Sequence, residues 1–187
     1  MTTRLEHFAR FLGEPGTQER ILLDRVGRSI GLLRYEGQPC EGATTVVTSG
    51  LSDLEHHLLH EELVLTLWSQ EVSVDVVRVL EHVARLLAQG REPLAHGDVI
   101  GPYGPLCDGT DMSAIYVAEP AYFPEEFAHF VTNDRCTTRM RWLVPIHTAE
   151  VRLIERSGAA HFEALLTAQD PDLLSLQRPP VSEPAPG

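Results

Sequence analysis

The densest concentration of potential chemistry in the 187-residue chain is Glu55-His56-His57-Leu58-Leu59-His60-Glu61-Glu62, three histidines set among glutamates. Imidazole nitrogens and carboxylate oxygens form a usual donor set for zinc. On a helix, His56 and His60 at i,i+4 would share one face, and Glu61 or Glu62 could complete a divalent site. Two features argue against that use. The run lies between a Gly-Leu-Ser turn and an apolar strand, and it lacks the His-Glu-x-x-His order that places a general-base glutamate between two ligands. A solvated acidic loop or hairpin tip is the simpler reading, with a metal-dependent hydrolase using His56, His57 or His60 as an alternative.

Nucleophilic catalysis would need a serine or cysteine on a strained turn, a histidine base and an oxyanion donor. Ser49-Gly50-Leu51-Ser52 is not a Gly-x-Ser-x-Gly elbow, so its serines read as caps on backbone groups at a turn. Glu119, Glu125 and Glu126 flank Pro120 and Pro124, where carboxylates serve turns and helix starts. Cys40, Cys107 and Cys136 have no CxxC spacing, which suggests neither a disulfide framework nor a thiolate zinc site. No catalytic residue and no cofactor are expected.

Composition narrows the classes further. All fifteen basic residues are arginine. A P-loop lysine, a Schiff-base lysine and a kinase-type phosphate lysine are therefore excluded. A formal net charge of -12 repels nucleic-acid phosphates and suits a basic protein partner. With 43% hydrophobic and 22% charged residues, the composition is that of an ordinary globular domain. No run reaches the roughly 18 apolar residues of a membrane span. The start, Met1 to His7, lacks the apolar stretch of a secretory signal, so a cytoplasmic protein is expected.

The elements that position these residues follow from periodicity. Leu5, Phe8, Ala9 and Leu12 share one face of a helix over 3–13 that stops at Gly13. Dense apolar residues from Val26 to Tyr35 predict a strand, closed by Glu36-Gly37-Gln38-Pro39, and the β-branched run Thr44 to Thr48 predicts its partner. Glu62 to Trp68 reads as a central strand. Ser73 caps a helix whose stripe is Val76, Val77, Leu80, Val83, Ala84 and Leu87, with Glu81 and Arg85 paired outside and Gly90 at the end. Pro93 to Asp111 is a long irregular connection. Met112 to Val117 is a short strand, Pro124 opens a helical turn, and Arg139 to His147 is the last strand. There Arg139 and Arg141 alternate against Met140 and Trp142, and Pro145 belongs at an edge, bulge or strand end. Two helical segments follow, about 148–157 and 159–168, parted by Gly158, with Glu150 fixing the first helical turn. The pattern predicts one domain over 1–176 and a flexible proline-rich tail over 177–187.

Two blocks carry a family likeness. Ala43-Thr44-Thr45-Val46-Val47-Thr48-Ser49-Gly50-Leu51-Ser52 with Glu62-Leu63-Val64-Leu65, and Arg141-Trp142-Leu143-Val144-Pro145-Ile146-His147-Thr148-Ala149-Glu150 running on to Ser157-Gly158, resemble the suppressor of fused-like domain family in its stand-alone bacterial form. The resemblance implies an α/β (α+β) fold, a single domain with a mixed or mostly antiparallel sheet packed with helices. It also implies a non-enzymatic binding protein, for bacterial members commonly an immunity protein that neutralises a toxin domain, here a basic one. An adaptor that captures a peptide by strand addition is the alternative within protein binding. The expected contact surface is Asp53, Glu55, Glu61 and Glu62 together with Asp98, Tyr103 and Asp108. Neither nucleic acid nor membrane is an expected partner.

Overall fold

The computed structural model describes residues 3–24, 27–54, 60–131 and 136–184. Helix α1 spans Arg4–Leu12. It starts with a capping box: the Thr3 hydroxyl accepts from the Glu6 N–H at 3.2 Å, and the Glu6 carboxylate accepts from the Thr3 N–H at 2.7 Å. Gly13, at φ 80°, ends it. The strands are β1 (Thr17–Leu22), β2 (Ser29–Glu36), β3 (Ala43–Ser49), β4 (Glu61–Trp68), β5 (Val99–Ile100), β6 (Met112–Ala118), β7 (His129–Val131) and β8 (Thr137–His147). The remaining helices are α2 (Val74–Ala88), α3 (Thr148–Ser157) and α4 (Ala159–Gln169).

The sheet runs β1-β2-β3-β4-β8-β6-β5, with β7 paired to β8. Every pairing is antiparallel except β4 with β8, where Glu61 to Val64 run beside Arg139 to Trp142. The mixed, mostly antiparallel sheet that the family resemblance implies is thus formed, and its two central strands are buried along most of their length.

Side-chain alternation divides the core between the two faces. On one, Leu63, Leu65, Ile115, Val117 and Leu143 meet Leu80, Val83 and Leu87 of α2. On the other, Val64, Tyr116, Trp142 and Val144 meet Phe8 of α1, Val151 of α3 and Phe162 of α4. Ser73 caps α2 through the Val76 N–H, and Glu81 pairs with Arg85 at 3.0 Å, as the spacing predicted.

Some expectations shift. Strand β1 is not legible in the sequence because Gln-Glu-Arg at its centre is the polar pattern of an exposed edge, where one buried apolar residue, Ile21, suffices. Strand β2 begins at Ser29, and Val26 lies outside the described residues. Pro124 precedes the 3-10 turn Glu125–Phe127 as its N-cap, not as its first residue. Pro145 sits three residues beyond the end of the β4 pairing, near the strand end, and its carbonyl accepts from Arg178 at 3.2 Å.

The segment expected to be a mobile tail from residue 177 is instead docked at its start. Arg178 and Val181 are each only 4% exposed. Few apolar groups hold it; the anchor is a buried polar contact to Glu150, which composition cannot reveal. Upstream, the Trp68 N–H donates to the Leu174 carbonyl at 3.0 Å, and Thr110 donates to the Leu176 carbonyl at 2.8 Å. Residues 173–181 therefore form a strap across β4, the loop before β6 and α3.

Candidate functional site

Of the histidine-glutamate run, Glu55, His56 and His57 lie outside the described residues. His60 is partly exposed and immediately precedes β4, so Glu61 and Glu62 belong to a strand and not to a helix carrying ligands at i,i+4. Among the described residues, no group of three His, Cys, Asp or Glu side chains is placed to hold a metal ion.

Glu61 and Glu62 do not form an exposed acidic patch; they are 2% and 0% exposed. Glu62 is enclosed by the turn that follows β3. Its carboxylate accepts from the N–H groups of Gly50 (3.0 Å), Leu51 (3.3 Å) and Ser52 (3.2 Å), and from the hydroxyls of Thr48 and Ser52, both at 2.7 Å. Gly50 makes this turn with φ 110°, a backbone state that side chains resist. Arg4 closes the nest from α1, 3.5 Å from Glu62 and 2.8 Å from Asp53. Burial pushes the Glu62 carboxyl upward, opposed by Arg4 and by these hydrogen bonds. The Gly-Leu-Ser block and Glu62, read as one motif in the sequence, are thus one buried polar joint between β3, β4 and α1.

Glu61 joins the other neighbour. It accepts from the Leu94 N–H at 3.1 Å and from Arg141 Nε at 3.4 Å, and burial again raises its carboxyl. The serines of that turn are committed: the Ser49 hydroxyl accepts from Arg4 at 3.0 Å, and that of Ser52 donates to Glu62. Glu150 has the role foreseen for it. It caps α3 through the His147 N–H at 2.8 Å while receiving Arg178 and the Val181 N–H.

The rest of the expected contact surface is split. Asp53, with 66% of its side chain exposed, sits after β3 on the β1 side of the sheet. Asp98 precedes β5 and takes the Ala95 N–H at 2.8 Å; Tyr103 and Asp108 are exposed on the loop between β5 and β6. Four strand spacings, about 19 Å, separate β3 from β5, so these residues make two surfaces.

Strand β1 is a sheet edge that sequence reasoning missed. Five of its six residues are exposed, including Leu22 at 60%. A cleft of about 760 Å³ adjoins it, lined by Arg4, Gln18, Arg20, Ser29, Gly31 and Asp53 among others. The Leu23 N–H donates to the Arg28 carbonyl at 2.8 Å, continuing the β1–β2 register. By antiparallel alternation, the backbone polar groups of Gln18, Arg20 and Leu22 then face outward, open to another strand.

Among the described residues, no helix is long and apolar enough to cross a membrane. In comparison with known proteins, the family described as Suppressor of fused protein (SUFU) matches residues 27–179. No curated protein matches the chain in sequence. Among solved structures, a SUFU (suppressor of fused protein) homologue from Neisseria gonorrhoeae FA 1090 superposes with a TM-score of 0.76 at 15% identity, over 97% of this chain and 96% of that one. A chain of the Sufu-Fu complex superposes with a TM-score of 0.65 at 16% identity, over 90% and 82%. Drosophila Suppressor of Fused gives 0.57 at 16% identity, over 78% of this chain and 39% of the fly protein. At such identities the likeness is one of fold.

Proposed function

The chain belongs to the suppressor of fused protein family, and on that premise we propose that it is a non-enzymatic protein-binding module, in its specific role a cytoplasmic immunity protein that neutralises a basic toxin domain. The observation that carries binding is the open β1 edge beside its cleft, since unpaired strand groups are a ready template for a partner's backbone. The formal charge of -12 supports a basic partner, by steering its approach and complementing its surface. A protein of this fold occurs in the Sufu-Fu complex, which is in keeping with a binding role.

The test is capture from native lysate on the tagged protein, with duplicate washes at physiological and high salt. A basic toxin domain retained at physiological salt and released at high salt supports immunity by charge complementarity. Recovery of no protein partner counts against a binding module. The edge also favours a second reading, an adaptor that captures an extended peptide by strand addition. A short cognate peptide that binds as tightly as its parent protein would support the adaptor over immunity.

A further inference from the structure

Away from β1, a cavity of about 290 Å³ opens on the sheet face that carries α4. Its walls come from distant parts of the chain: Tyr116 of β6, Trp142 and Val144 of β8, Leu166 of α4, and Tyr122 and Leu173 from the loops. The wall is rich in aromatic rings. Tyr122 stands edge-on to Trp142 with ring centroids 5.2 Å apart, and it remains 42% exposed. The size lies just below the roughly 300–1,000 Å³ that holds a drug-sized ligand, so it suits one long side chain.

The polar lining is almost all of one sign. Glu119, Glu163 and Asp170 line the cavity, His96 is the only basic-type residue there, and no arginine joins it among the described residues. One oxygen of Glu163 accepts from Tyr116 at 2.6 Å and bonds His96, which leaves its second oxygen for another donor. Trp142 supplies an independent mark. The residue is 3% exposed, and its indole N–H has no hydrogen-bond partner among the described residues. Such a donor is costly to leave unpaired, and a peptide carbonyl is an acceptor that would satisfy it.

We propose that this cavity binds an arginine side chain of the protein partner, its guanidinium against the Trp142, Tyr122 and Tyr116 rings and the Glu163 carboxylate, with an adjacent main-chain carbonyl on the Trp142 indole. Arginine fits better than lysine because a planar guanidinium both stacks on aromatic faces and forks onto a carboxylate. The proposal rests on the protein-binding reading and adds a basic anchor at a second place on the molecule.

The test needs no partner. The Trp142 indole N–H resonance, assigned by loss in Trp142→Phe, is followed while the blocked tripeptide acetyl-Gly-Arg-Gly-amide or its leucine counterpart is added to millimolar concentration. The arginine peptide should shift the resonance saturably and the leucine peptide should not. Glu163→Gln should weaken the effect about tenfold, the scale of one charge-assisted contact, while Glu126→Gln, on an exposed turn outside the cavity, should leave it unchanged. No shift with the arginine peptide, an equal shift with leucine, or full affinity in Glu163→Gln would overturn the assignment. Each of those results concerns this cavity alone and leaves capture at β1 to the lysate experiment.

Discussion

Arg178 and Glu150 face each other inside the protein in a two-pronged contact: Nη1 donates to one carboxylate oxygen at 2.6 Å and Nη2 to the other at 2.9 Å, with side chains 2% and 0% exposed. Nη2 also reaches the Pro145 carbonyl at 3.2 Å. One pair therefore ties the C-terminal strap to the end of β8 and the first turn of α3.

Breaking that pair from one side leaves an uncompensated buried charge, so Arg178→Ala or Glu150→Ala should each cost about 3–5 kcal/mol. Deleting everything after Leu176 should be destabilising on a similar scale, because it strands the Glu150 carboxylate. Urea unfolding monitored by tryptophan fluorescence measures all three. An unchanged midpoint in the deletion would mean that the strap is a tail after all.

Glu62 is the second joint. Glu62→Ala leaves three backbone N–H groups and two hydroxyls without their acceptor, and Arg4 without one of its partners. The expected loss is at least about 3 kcal/mol, on the scale of a broken buried network. Glu62→Gln keeps one acceptor oxygen and should lose less. Asp53→Ala removes only an exposed partner of Arg4 and should cost no more than about 1 kcal/mol. The ordering of the three midpoints is the check.

Acidification should loosen α1. His7 is buried, bonded through Nε2 to the Phe127 carbonyl at 3.0 Å and stacked on Phe127 and Phe130. Burial holds its pKa below the ordinary value of 6.5, aided by nearby Arg10 and His129 and opposed by the bond to Phe127. The unfolded chain thus takes up a proton at a higher pH than the folded one. The stability supplied by neutral His7 is complete above about pH 6.5 and falls as pH drops toward the folded value, by at most about 1.4 kcal/mol per pH unit. His7→Gln keeps a donor without a titrating group, so the stability difference between wild type and variant should shrink from pH 7 to 5.

A proline at Gln18 tests the sheet edge. The Gln18 N–H faces away from β2 by the register above, and proline is tolerated where a strand donor points to solvent. Gln18→Pro should keep the far-ultraviolet spectrum and unfolding midpoint near wild type while abolishing capture of the lysate partner. Retained capture would move the contact away from β1.

The sequence by itself determined most of the elements, because caps and periodicities act over a few residues. The apolar face of α1 with its stop at Gly13, Ser73 as the cap of α2, the Glu150 turn and the dense apolar runs of β4 and β8 could all be read before any fold was known. It carried the family likeness for the same reason, in contiguous blocks. Whether a carboxylate faces water was not legible: Asp53, Glu61 and Glu62 look alike in sequence, yet the first is exposed and the other two are enclosed by Gly50, Ser52, Leu94 and Arg141. The open edge at β1, the docking of Arg178 on Glu150, and a pocket built from residues 96 to 173 were decided by tertiary structure alone. Each depends on which strand a segment lies beside and which oxygen an arginine can reach, and those distances exist only once residues far apart in the chain have packed together.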